Sequence, residues 1–109
     1  MIEVRQYVDR SGRNPFQQWF EELDGSTRAR ISVALDRLER GSSSAVKGVG
    51  AGVFELRMDF GPGYRVYFGK DGDRIVILLG GGTKKRQQND IETACALWRQ
   101  YKEQKREER

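Results

Sequence analysis

The chain has no histidine among its 109 residues, and that absence removes more chemistry than any other feature. Ser-His-Asp and Cys-His nucleophilic catalysis, histidine-ligated metals and a histidine acid–base pair are all excluded. Proton transfer has to use Glu, Asp, Lys, Tyr or water. A single cysteine, Cys95, rules out an internal disulfide and a cysteine-built zinc site, and fits a reducing cytoplasm. No apolar run approaches the ~20 residues needed to span a bilayer, and the N-terminus lacks the basic-then-apolar layout of a signal peptide. Internal repeats are also missing. The expectation is therefore one cytoplasmic domain over residues 1–109, with no membrane partner, no cofactor and no metal.

What the chain does carry is an uneven surplus of positive charge. Lys and Arg number 20 against 16 Asp and Glu. Residues 1–24 hold 3 basic and 5 acidic side chains, whereas 84–109 hold 8 and 5, so the C-terminal part is the better docking side for a polyanion. A pI near 9.5 suits nucleic acid or an acidic protein.

The organising stretch is Val53 to Asp90. Phe54, Leu56, Met58 and Phe60 alternate with Glu55, Arg57 and Asp59, the period-2 pattern of a strand with one buried and one wet face. Gly61-Pro62-Gly63 turns the chain, and Tyr64, Val66 and Phe68 repeat the alternation against Arg65 and Tyr67. Lys70-Asp71-Gly72-Asp73 supplies a second hairpin. Ile75 to Leu79 has no polar residue and should be covered on both faces. It ends in three glycines and runs into Lys84-Lys85-Arg86. This reading gives a three-stranded antiparallel meander whose wet face gathers Glu55, Arg57, Asp59, Arg65 and Tyr67.

Around it, Met1 to Val8 reads as a first strand. Asn14-Pro15 opens a short helix with Phe16, Trp19, Phe20 and Leu23 on one face. Ser26 is expected to cap a second helix carrying Ile31, Ala34, Leu35 and Leu38, which Gly41 stops. The two should form a hairpin on the apolar face of the sheet. Residues 41–52, rich in glycine and serine, read as a mobile loop. They follow a helix and open a strand, the reverse of a nucleotide-binding glycine loop. Asn89 and Glu92 form a capping-box signal for a last helix with Ile91, Ala94, Cys95, Trp98 and Tyr101 on one face. The charged tail 102–109 is either a frayed continuation of that helix or a nucleic-acid contact. The fold class is α+β, one antiparallel-rich sheet with helices on one face.

That element order, together with the words VFELR, GYRVYF and LLGGGTKK, resembles the RelE/ParE superfamily of toxin–antitoxin toxins, and more narrowly its HigB-like, phage-type addiction module killer branch. The resemblance covers nearly the whole chain. It implies a small α+β toxin of a type II module, neutralised by a cognate antitoxin. In the RelE and HigB groups it implies cleavage of mRNA on the ribosome, the RNA 2′-hydroxyl attacking the adjacent phosphate with no metal required. The family's site arginine in GYR falls on Arg65, and its basic residue after the last strand on Lys84 or Lys85. Lysines that precede the Leu-Arg pair in RelE are replaced here by Val53 and Glu55, and no C-terminal catalytic histidine is present.

Metal-free attack needs a proton acceptor, cations on the phosphate and a proton donor to the leaving oxygen. Arg65 and Arg57 are candidates to clamp a phosphate, Lys84 to close the site, and Glu55 to act as base. Lys85, Arg86 and Tyr67 are candidates to hold RNA, Tyr67 by stacking on an unpaired base. Each also has a structural reading, as a surface ion pair, a solvated loop or a cross-strand aromatic. Three functions stay open: an mRNA endoribonuclease, a ParE-like inhibitor that binds DNA gyrase, and an inactive module that binds the antitoxin.

Overall fold

The computed structural model describes residues 2–42 and 45–108. Met1 of the expected first strand, Ser43 and Ser44 of the expected loop, and Arg109 of the tail lie outside the described residues. The elements run β1 (Glu3–Gln6), α1 (Pro15–Glu21), α2 (Gly25–Glu39), β2 (Val46–Gly50), β3 (Val53–Met58), β4 (Tyr64–Asp71), β5 (Ile75–Thr83), a 3₁₀ turn (Lys84–Arg86) and α3 (Gln87–Glu107). The five strands form one sheet in the order β1-β5-β4-β3-β2. Among the described residues only β1 pairs in parallel, with β5; the other pairings are antiparallel. The α+β class and the meander are as read from the sequence.

Local chemistry sets the helix ends. Asn14 Oδ1 accepts from Gln17 N at 3.0 Å, and Pro15 occupies the first turn, where its missing N–H costs nothing. Asp24, rather than the expected Ser26, caps α2 by accepting from Thr27 N at 2.7 Å. Gly41 takes φ +72° after α2, with Gly41 N donating to Leu38 O and Ser42 N to Arg37 O, each at 3.0 Å. This paired arrangement satisfies two of the helix's last carbonyls.

Two expectations are corrected. Residues 46–50, inside the expected loop, form β2 and pair with β3 from Val46↔Leu56 to Gly50↔Val53. Glycines at 48, 50 and 52 conceal the strand pattern there, and the turn is made by Ala51 (φ 55°) and Gly52 (φ 81°). Helices also cover both faces of the sheet rather than one. Under α1 and α2 lies a core of Phe16, Ile31, Leu38, Leu56, Met58, Val66, Phe68, Val76 and Leu78. Under α3 lies a second, built from Tyr7, Val53, Tyr67, Ile77, Leu79, Ala94 and Trp98. As expected, β5 lies inside the sheet and is covered on both sides. The apolar stripe of α3 has to be buried somewhere, and the free face of the sheet is the surface that accepts it.

Glycine makes the close approach possible. A Cβ on Gly69 would overlap the Trp98 ring, and one on Gly81 would overlap the Trp19 ring, so each tryptophan lies directly on a strand backbone. The helix α3 begins at Gln87, two residues before the expected Asn89 cap, because the 3₁₀ turn carries the chain from β5 straight into it. It continues as helix to Glu107, tied down by ion pairs of Lys105 with Asp71 and Arg10 with Glu107.

Candidate functional site

The β3–β4 register sets Glu55 opposite Tyr67 and Arg57 opposite Arg65. The β4–β5 register sets Arg65 opposite Gly82 and Tyr64 opposite Thr83. Lys84 therefore leaves β5 beside the turn that precedes Arg65, and its backbone N donates to Gly63 O at 2.7 Å. Gly63 sits at φ +80°; a Cβ built there would lie 3.3 Å from Lys84 Cβ and 3.6 Å from Arg65 Nη1. The two strongest sequence candidates thus meet across one glycine.

The expectation of a wet face fails at its centre. Arg65 is 2% exposed, and Glu55 and Tyr67 are buried. The first residues of α3 account for this: Gln87 Nε2 donates to Glu55 Oε2 at 2.6 Å, and Asp90 lies so close to Gly82 that a Cβ there would overlap its carboxylate. Arg65 Nε lies 3.7 Å from Glu55 Oε1, and Nη1 lies 3.7 Å from Asp59 Oδ1 while donating to Tyr64 O at 2.9 Å. Glu55 is thus the buried counter-charge that Arg65 requires, and neither it nor Tyr67 presents a surface to a substrate in this arrangement. Asp59 differs, being 77% exposed, and sets a solvent-facing carboxylate beside the buried guanidinium.

The cluster is incompletely hydrogen-bonded. Glu55 Oε1, Arg65 Nε, Tyr67 Oη and Asp90 Oδ2 are buried without a hydrogen-bond partner. Desolvation raises the Tyr67 pKa, with the negative charges of Glu55 and Asp90 adding to it. Desolvation likewise raises Asp90, against the opposing charge of Arg86.

Arg57, Lys84, Lys85 and Arg86 are exposed, the last three in the 3₁₀ turn. These four have the exposure the sequence leads one to expect, whereas Glu55, Arg65 and Tyr67, expected on the wet face, are buried. Sequence reasoning missed Gln87, Asp90 and Asp59 as partners. The signal that could have found them was Gly80-Gly81-Gly82, which a strand carries when another element approaches its backbone closely. Among the described residues, no three His, Cys, Asp or Glu side chains are grouped to hold a metal ion, and no helix is long and apolar enough to cross a membrane.

Comparison with known proteins agrees with this architecture. Residues 18–99 match the family model described as phage-derived protein Gp49-like (DUF891). A relative from Haemophilus influenzae, an uncharacterized protein, is 41% identical over 83 residues, covering 75% of this chain and 84% of its own length. With three quarters of the sequence inside the match, the chain belongs to the Gp49-like phage-derived family, part of the addiction module killer and RelE-like toxin group.

Proposed function

We propose that the chain is the toxin of a type II toxin–antitoxin module, held in check in the cytoplasm by a cognate antitoxin, and that it is a metal-independent, ribosome-associated mRNA endoribonuclease of the HigB-like kind. Family membership supports the toxin setting. The observation that carries the chemistry is the junction at Gly63, where Lys84 meets Arg65 and the exposed Arg57, Lys85 and Arg86 stand on the adjoining strand and turn.

In this reading a 2′-hydroxyl gives up its proton and its oxygen forms a bond to the adjacent phosphorus, while the bond from phosphorus to the 5′-oxygen breaks and that oxygen takes a proton from water. The products are a 2′,3′-cyclic phosphate and a 5′-hydroxyl. Negative charge grows on the phosphate oxygens, where one well-aimed cation contributes about 3 kcal/mol, roughly a hundredfold in rate. Lys84 and Arg57 supply that charge, and Lys85 and Arg86 hold the flanking backbone. With Glu55 enclosed, the proton acceptor is Asp59, the exposed carboxylate that Arg65 holds from below. Glu55 and Tyr67 position Arg65 instead of touching RNA.

Primer extension on message from cells expressing the protein tests this. Codon-linked cuts are expected for the native chain and should fall roughly a hundredfold in the exposed double variant Lys84→Ala/Lys85→Ala, with its circular dichroism unchanged. The burial of Arg65, Glu55 and Tyr67 favours one competing reading, a ParE-like toxin that inhibits gyrase by binding alone. Growth arrest with intact message and gyrase trapped on DNA would establish that reading and overturn ours.

A further inference from the structure

Away from Lys84, a groove of about 380 Å³ runs between α2 and the end of β3. Arg30, Val33 and Arg37 line one wall, and Arg57, Met58 and Phe60 the other. All the charged residues lining it are arginines, and Val33, 52% exposed, presents an apolar side chain to solvent above the buried Leu56 and Met58. A charged residue at each end of an apolar step along one helix face is an arrangement for a ligand that is anionic and greasy in alternation.

We propose that this groove is the docking site for an acidic amphipathic helix of the neutralising partner. The identity of that partner rests on the toxin reading; the chemistry of the groove does not. Arg30 and Arg37 are seven residues apart on α2, a rise of about 10 Å, which equals the separation of two carboxylates at i and i+7 on a second helix. Val33 lies between them and meets the apolar side chains such a helix carries at i+3 and i+4.

Single-stranded RNA fits the same groove less well. The one aromatic ring in it, Phe60, already has the Arg30 guanidinium 3.8 Å from its centroid and Tyr64 packed at 5.1 Å, so a base has no free ring to stack upon. An exposed valine also offers a nucleotide little. Arg57 belongs both to this groove and to the proposed RNA surface. A partner seated here therefore takes one cation away from the substrate without covering Lys84.

The test uses the full chain, isotopically labelled, and three probes: a helical peptide with Glu at i and i+7 and Leu at i+3 and i+4, its Lys-for-Glu counterpart, and a short oligouridylate. The acidic peptide is expected to shift the amide and methyl resonances of Val33 and Met58, to weaken with added salt, and to lose at least tenfold in affinity in Arg37→Glu and in Val33→Asp. The basic peptide should not bind. Shifts of Val33 and Met58 with oligouridylate but not with the acidic peptide, or full affinity in Arg37→Glu, would overturn the proposal. Growth arrest on expression is scored separately. A chain that binds the acidic peptide yet arrests nothing refutes the toxin reading and leaves the groove standing, whereas arrest without peptide binding does the reverse.

Discussion

Replacing Arg65 by methionine should be the most damaging single change in the sheet, and the size of the effect can be worked from the ion pair itself. Arg65 Nε and Glu55 Oε1 are 3.7 Å apart, with both side chains almost wholly out of water. At an effective dielectric of about 20, Coulomb's law gives about 4 kcal/mol for that separation. Removing one partner of a buried pair leaves the other uncompensated and costs about 3 to 5 kcal/mol. Arg65→Met strands Glu55, whose remaining contact is the Gln87 amide. Glu55→Gln is milder, because Arg65 keeps Asp59 and the Tyr64 carbonyl. The double variant removes both charges and should lose less than the sum of the two, with a coupling of about 2 kcal/mol. Urea denaturation followed by circular dichroism measures all four corners. For a domain of this size, a 3 kcal/mol loss corresponds to a fall of at least ~12 °C in Tm. Additivity within about 0.5 kcal/mol, or an Arg65→Met variant as stable as the native chain, would refute the view that burial of this pair organises the site.

Gly69→Ala and Gly81→Ala should each cost about 1 to 3 kcal/mol, because the added methyl enters the ring of Trp98 or Trp19, whereas Gly80→Ala, where a Cβ meets nothing within 4 Å, should be nearly neutral; thermal melts of the three decide it. Asp90 has a folded-state pKa raised by burial, so its contribution to stability is present below the unfolded value of about 4 and is lost as pH rises through the folded value. Asp90→Asn should accordingly be more stable than the native chain at pH 7, with the advantage vanishing near pH 3; equal stability at pH 7 would contradict the assignment. Ala51 carries φ 55° in the β2–β3 turn, and Ala51→Gly should raise stability by up to about 1 kcal/mol, read as a higher urea midpoint.

Much of this was legible in the residues because the meander announces itself twice over, by alternation and by the Gly61-Pro62-Gly63 and Asp71-Gly72 turns. The register that follows brings Arg65 beside Lys84, and the sequence words alone imply it. Burial was harder to read. Alternation at Glu55, Arg57, Arg65 and Tyr67 says only that these residues share a face, and polarity suggests that the face is wet. It is dry at 55, 65 and 67 because α3 buries Ala94 and Trp98 on that face and covers them, with Glu55 and Arg65 left to offset each other's charge at 3.7 Å. The sequence conceals β2 because glycines stand at 48, 50 and 52, and because its two valines, Val46 and Val49, pack against opposite cores and leave no alternation to read.

The most direct measurement is the end chemistry of message cut on programmed ribosomes by the purified chain. Attack by the 2′-hydroxyl with Lys84 and Arg57 on the phosphate predicts upstream fragments ending in a 2′,3′-cyclic phosphate and downstream fragments beginning with a 5′-hydroxyl, both scarce with Lys84→Ala/Lys85→Ala. Uncut message, or fragments beginning with a 5′-phosphate, would contradict the account.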